Sequence, residues 1–154
     1  MCFMENLDLV SSENKYNLLS GRVALLLNRF LSQQFKSANV NLTREQWSIL
    51  AVLWKSDGCS QQFIADSTSR DKPSVTRLID NLVKEGYVIR KNDENDRRLN
   101  LIYLTDKGKE IEKDVIAAVD DTINKATKGL SNDQIVVVRD AFQIVYDNIK
   151  VFVK

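Results

Sequence analysis

The residues best suited to chemistry in this chain are arginines and hydroxyls, not acid/base pairs. Histidine is absent from all 154 positions, which removes the commonest general base and the commonest zinc ligand. The two cysteines, Cys2 and Cys59, are too few for a four-cysteine metal site. There is no glycine-rich phosphate loop, and no serine or cysteine has an evident activating base. The carboxylates of Asp120 and Asp121 are adjacent, and adjacent helix positions point apart. The expectation is a chain that is not an enzyme and holds neither metal nor cofactor.

Two clusters remain. The first is Lys72-Pro73-Ser74-Val75-Thr76-Arg77. Its polar members are small at the start of a helix, with one guanidinium a turn further on. A helix end of this kind enters a major groove about 12 Å wide. Ser74 and Thr76 suit phosphates or base edges, and Arg77 suits a guanine. An ordinary solvated helix face fits the same residues. The second cluster is Asp96-Arg97-Arg98, in a polar loop. Arginines at the tip of a ribbon are drawn into a narrow minor groove by its negative potential. Asp96 can brace one of them through a charge-assisted bond. A balanced surface loop is the competing reading, because Asp93, Glu94 and Asp96 nearly cancel Lys91, Arg97 and Arg98.

The elements that must position these clusters follow from periodicity. One proline and five glycines leave room for long helices. Leu19, Val23, Leu26 and Phe30 mark a helix over about 15–36, with Leu18, Leu25, Leu27 and Leu31 widening its stripe. Thr43 and Gln46 form a capping box ahead of Trp47, Leu50, Ala51 and Trp54. Ser60 caps a short helix, and Asp71 caps another with Pro73 in its first turn and Val75, Leu78, Ile79 and Leu82 as its inner stripe. Gly86 stops that helix. The period then shortens at 87–91 and 99–104, which reads as a hairpin. Thr105 caps a helix reaching about 128, with Ile111, Val115, Val119, Ile123 and Ala126 on one side. Ser131 and Gln134 box the last helix, striped by Ile135, Val138, Phe142, Val145 and Ile149.

Composition bounds the function. The charge is nearly balanced, with 22 basic and 21 acidic residues, net +1. Bulk electrostatic binding of nucleic acid is therefore excluded, and a few placed arginines are not. From Ser69 to Arg98 there are eight basic and six acidic residues, so this stretch is mildly basic and the remainder mildly acidic. Glu5 and Asp8, with no basic run, do not read as a signal peptide. An apolar run such as Val23 to Leu27 is far short of a membrane span. A cytoplasmic protein is expected. Cys59 beside the Ser60 cap suits either a thiol of lowered pKa or a small semi-buried side chain.

Two short helices followed at once by a hairpin form a winged helix-turn-helix. The run Asp96-Arg-Arg-Leu-Asn-Leu-Ile-Tyr-Leu-Thr-Asp-Lys-Gly108 resembles the wing signature of the multiple antibiotic resistance regulator (MarR) family. The run from Asp71 through Gly86 to Val88 is similar to that family's recognition helix and its exit into the wing, and Leu42 to Leu53 to the helix that opens its DNA-binding lobe. The resemblance covers about 42–108. It implies a mainly α fold with a small β-hairpin wing (α+β), in which N- and C-terminal helices form a dimerisation lobe. It implies homodimers on palindromic operator DNA, usually repressors, often released by a small phenolic or lipophilic effector. By resemblance, Lys72, Pro73, Ser74, Thr76 and Arg77 face the major groove, and Asp96 and Arg98 form the wing's acid-x-arginine pair beside Arg97. Redox-sensing members place a cysteine near the start of the first helix. Cys2 lies upstream of that position.

The expected organisation is an N-terminal arm and dimerisation helix at 1–38, a DNA-binding lobe at 39–105 and C-terminal dimerisation helices at 106–154. The wide apolar stripes of the terminal helices, with Val151-Phe152-Val153 behind them, exceed what one small lobe buries. The expected function is sequence-specific binding of double-stranded DNA by a transcriptional regulator without membrane contact. The alternative is a winged-helix adaptor or co-regulator that contacts proteins and has no DNA specificity of its own.

Overall fold

The computed structural model describes residues 11–96 and 99–153, apart from the side chains of residues 13, 14, 17 and 18. The order is α1 (Ser12–Leu19), α2 (Arg22–Ser37), α3 (Arg44–Lys55), β1 (Cys59–Ser60), α4 (Gln61–Thr68), α5 (Lys72–Lys84), β2 (Val88–Asn92), β3 (Asn100–Leu104), α6 (Asp106–Glu110), α7 (Glu112–Ala126) and α8 (Asn132–Lys150). The fold is mainly helical with a small antiparallel sheet, as the sequence indicates.

Side-chain caps fix most helix starts. Thr43 Oγ1 accepts from Gln46 N at 3.1 Å while Gln46 Oε1 accepts from Thr43 N at 2.8 Å. Ser131 and Gln134 repeat this box on α8. Ser60, Asp71 and Thr105 each accept from the backbone N–H three residues on. Each bond satisfies a donor that the first helical turn leaves without a partner.

Three elements depart from the periodicity reading. The first stretch is two helices, because Gly21 takes a left-handed φ of 118° between α1 and α2. The long helix after Thr105 is interrupted at Ile111, between α6 and α7. The hairpin is part of a three-stranded sheet of order β1-β3-β2, in which Cys59 pairs with Ile102 and Ser60 with Leu101.

One core joins the helix-turn-helix to the ends of its neighbours. Ile49, Leu50, Leu53, Ile64, Val75, Ile79, Leu82, Val88 and Ile102 are fully buried. Leu31 and Phe35 enter this core from α2, and Val115 and Ala118 from α7. Phe35 meets Trp47 edge to face, centroids 6.2 Å apart. The inner line of α7 is Val115, Ala118 and Thr122; of the expected stripe, Val115 is buried, Ile111 and Val119 pack partly buried against the core, and Ile123 is exposed. Helix α8 buries no residue within the chain. Its Phe142, Ile144 and Ile149 are exposed, as are Val23, Leu25 and Leu26 of α2.

The wing is tied down at its base. Asp57 Oδ1 accepts from Leu104 N at 2.8 Å. Thr105 Oγ1 donates to Gly86 O at 2.6 Å. Trp54 Nε1 donates to Gly108 O at 2.9 Å. Gly108 packs so closely that a Cβ there would lie 2.1 Å from Tyr87 O. A second tie comes from Glu85, whose carboxylate accepts both bonds of Gln46 Nε2 at 3.1 and 3.2 Å while its carbonyl accepts from Lys107 Nζ at 2.7 Å.

Candidate nucleic-acid interface

Helix α5 has two sides set by its spacing. Val75, Ile79 and Leu82 are sealed in the core and Leu78 is half-buried. That leaves Lys72, Pro73, Thr76 and Arg77 exposed on the N-terminal half, with Ser74 half-buried. Pro73 sits in the first turn, where its missing N–H leaves no bond unmade.

The hydroxyls are less available than their residue types suggest. Asp71 caps α5 by accepting from Ser74 N through Oδ1 and from Ser74 Oγ through Oδ2, both at 2.8 Å. Those bonds, with a smaller contribution from the Arg77 charge, hold the Asp71 carboxyl below its ordinary value. Thr76 Oγ1 donates to Lys72 O at 3.0 Å and accepts from Gln61 Nε2 at 3.1 Å. Arg77 makes no hydrogen bond or ion pair among the described residues, so its five N–H donors are open to a ligand.

The wing stands against the same helix. Strands β2 and β3 pair from Val88↔Leu104 to Asn92↔Asn100. Arg90 Nη2 meets Asp80 Oδ1 at 2.6 Å. Lys91 Nζ lies over the Tyr103 ring, 5.3 Å from its centroid. At the tip, Asp93 Oδ1 accepts from Asn95 N at 2.7 Å and Asp96 N at 2.9 Å, which folds the loop back on itself. Asp96 is exposed and its carbonyl accepts from Leu99 N at 2.9 Å. Arg98, the expected partner of Asp96 in the wing, and its neighbour Arg97 lie outside the described residues.

The structure thus brings Lys72, Pro73, Ser74, Thr76 and Arg77 together on one helix end, with Asp96 on the neighbouring ribbon. Sequence reasoning missed Gln61, Asp80 and Arg90 as parts of this surface. Gln61 carried one signal, since it directly follows the Ser60 cap. The Asp80–Arg90 pair carried none, because the partners are ten positions apart on different elements.

Other candidates resolve differently. Burial pushes the Cys59 thiol above its ordinary value, and its backbone pairs in the sheet. Cys2 lies outside the described residues. No group of three His, Cys, Asp or Glu side chains suited to a metal occurs among the described residues. No described helix is long and apolar enough to cross a membrane.

A reading helix with its inner side sealed, preceded by a short helix and followed by a pinned two-stranded ribbon, defines a winged helix-turn-helix. The MarR family model matches residues 42–99, the stretch from α3 to the end of the wing loop. It is 26% identical over 100 residues to the HTH-type transcriptional regulator FarR of Neisseria gonorrhoeae, a match covering 65% of this chain and 68% of that one. It is 38% identical over 72 residues to the regulator TtmR of Methylorubrum extorquens, covering 47% of this chain and 37% of the relative. Less than two thirds of TtmR is therefore spanned. Among solved structures, a mutant MarR from E. coli complexed with operator DNA superposes with a TM-score of 0.80 at 24% identity, covering 90% of this chain and 98% of that one. A putative MarR family regulator from Listeria monocytogenes, complexed with a 26mer DNA, gives 0.74 at 28% identity, covering 82% and 83%.

Proposed function

We propose that this chain is a sequence-specific, double-stranded DNA-binding transcriptional regulator that acts as a homodimeric repressor on a palindromic operator. One observation carries the reading. The exposed end of α5 presents Lys72, Thr76 and Arg77 while its other side is locked into the core, as a helix inserted in a major groove requires. Solved neighbours that hold DNA support this reading over the protein-adaptor alternative. Ser74, Thr76 and Arg77 address the major groove, and Asp96, Arg97 and Arg98 the flanking minor groove.

The dimer is inferred from apolar surface. Val23, Leu25 and Leu26 of α2 and Phe142, Ile144 and Ile149 of α8 are at least half-exposed, and soluble monomers rarely leave large contiguous apolar patches open. A second copy covering these helices sets the spacing of two reading heads. Two clefts border α5. One of about 640 Å³ lies among Phe35, Leu42, Gln46 and Leu78, and one of about 670 Å³ among Ala65, Arg70, Tyr146 and Ile149. Either accommodates a small phenolic or lipophilic effector. Such a ligand releases DNA by favouring a head spacing that mismatches the groove repeat. The reading requires no cofactor and places the protein in the cytoplasm.

The test is a fluorescence anisotropy titration of labelled duplexes, specific and scrambled, with wild type and Arg77→Ala. Specific binding that the variant loses supports the reading. Equal binding of specific and scrambled duplexes by wild type contradicts it.

A further inference from the structure

A threonine hydroxyl has one proton. In Thr76 that proton goes to the Lys72 carbonyl, one turn back, at 3.0 Å. The oxygen also receives Gln61 Nε2 from α4 at 3.1 Å. Ser74 is committed in the same way, its Oγ donating to Asp71 Oδ2 at 2.8 Å. Neither hydroxyl keeps a proton for a phosphate oxygen, a purine N7, a guanine O6 or a thymine O4. Yet Thr76 is exposed, next to Arg77 on the end of α5.

Two bonds from different elements hold Oγ1, and a staggered side chain fixed at one substituent is fixed at the other. The γ-methyl is then the end of the exposed Thr76 side chain that no hydrogen bond engages. In the major groove the partner for a methyl is the 5-methyl of thymine, the apolar mark that distinguishes it from the other bases.

We propose that Thr76 reads a thymine through its γ-methyl, and that Gln61 is the positioning residue that holds the hydroxyl turned away from the base. This rests on the DNA-binding reading above. It reverses the chemistry the residue type suggests, since the hydroxyl serves the protein and the methyl serves the ligand. The remaining lone pair of Oγ1 points to the competing contact, acceptance of a bond from a cytosine or adenine amine, and the test separates the two.

The probe is a duplex recovered from a random pool by the wild-type protein. Each thymine of one half-site is replaced singly by deoxyuridine, which removes only the 5-methyl, and affinities are read by anisotropy at fixed salt. One replacement is expected to weaken wild-type binding about fourfold, the value of one buried methyl-sized group. Thr76→Val, held by the χ1 preference of valine in helices, keeps the thymine preference. Thr76→Ser retains the hydroxyl and loses the preference. Gln61→Ala lowers the thymine-to-uracil ratio in the wild-type background and leaves it unchanged in Thr76→Val, where there is no hydroxyl to hold.

A preferred duplex that is indifferent to every thymine methyl overturns this inference alone. So does loss of the preference in Thr76→Val with retention in Thr76→Ser, which assigns the contact to the hydroxyl. A pool that returns no preferred duplex overturns the regulator reading and this inference together.

Discussion

Arg90 Nη2, on the strand that leads into the wing, lies 2.6 Å from Asp80 Oδ1 on the reading helix. The pair joins the two elements that touch DNA in the proposed complex. Both side chains are partly exposed, so the bond contributes only about 0.2–1 kcal/mol to folding. It also ties the ribbon directly to the helix.

That tie makes a test. Asp80→Asn removes a negative charge near DNA, which by electrostatics alone strengthens binding. If the pair sets the wing angle, affinity falls instead, by about threefold, on the scale of one exposed ion pair. Titration of a specific duplex decides between them, with thermal unfolding confirming that stability is little changed.

Arg77→Ala is expected to relax base preference at one position in each half-site. The loss is ~1–3 kcal/mol of discrimination, the value of a bidentate guanine contact. A panel of duplexes varied at single positions reads this directly. A uniform loss at all positions would instead assign Arg77 to phosphate.

Arg98→Ala is expected to weaken all duplexes alike and to flatten the dependence of log affinity on log salt by about one per wing. Titrations over a range of salt concentrations measure the slope. An unchanged slope removes the wing arginine from the contact.

Gly108→Ala tests how the wing is anchored. The added Cβ would meet the Tyr87 carbonyl at 2.1 Å, and a backbone atom has no rotamer to yield. Denaturant unfolding is expected to show a loss of ~1–3 kcal/mol. Gly86→Ala is a separate comparison, because no atom lies within 4 Å there and only its left-handed φ of 80° is strained.

The cap of the reading helix carries a pH dependence. Asp71 titrates below its ordinary value because it accepts two bonds from Ser74. A carboxylate lowered on folding stabilises the fold above its unfolded pKa of about 3.9, and that contribution is lost as pH falls through the lower folded value. Asp71→Ala is expected to lower stability at neutral pH and to make its decline below about pH 4 shallower. An identical acid limb in wild type and variant contradicts the assignment.

Much of this surface is legible in the sequence where the determinants are local. Ser60, Asp71 and Thr105 each bond a group three residues away, so residue type and spacing suffice to place the helix starts. The inner stripe of α5 is legible for the same reason. What is illegible depends on distant partners. Strand β1 is two residues long and forms because Ile102 and Leu101 arrive beside it. The inner line of α7 is set by the helix it meets, α2, not by its own period. Of the two bonds that engage the Thr76 hydroxyl, one comes from Gln61, fifteen positions earlier. The residues of the site can therefore be chosen from sequence, while the chemistry each one offers cannot. The apolar stripe of α8 was legible too, and its exposure in the single chain is the reason a second copy is proposed.

The central claim is that two reading heads on a dimer recognise one palindrome. Selection of bound duplexes from a random pool by the purified protein tests it most directly. The expected result is an inverted repeat whose half-site centres lie about 34–36 Å apart, one helical turn. Recovery of no enriched sequence, or of a single site without a repeat, would contradict the account.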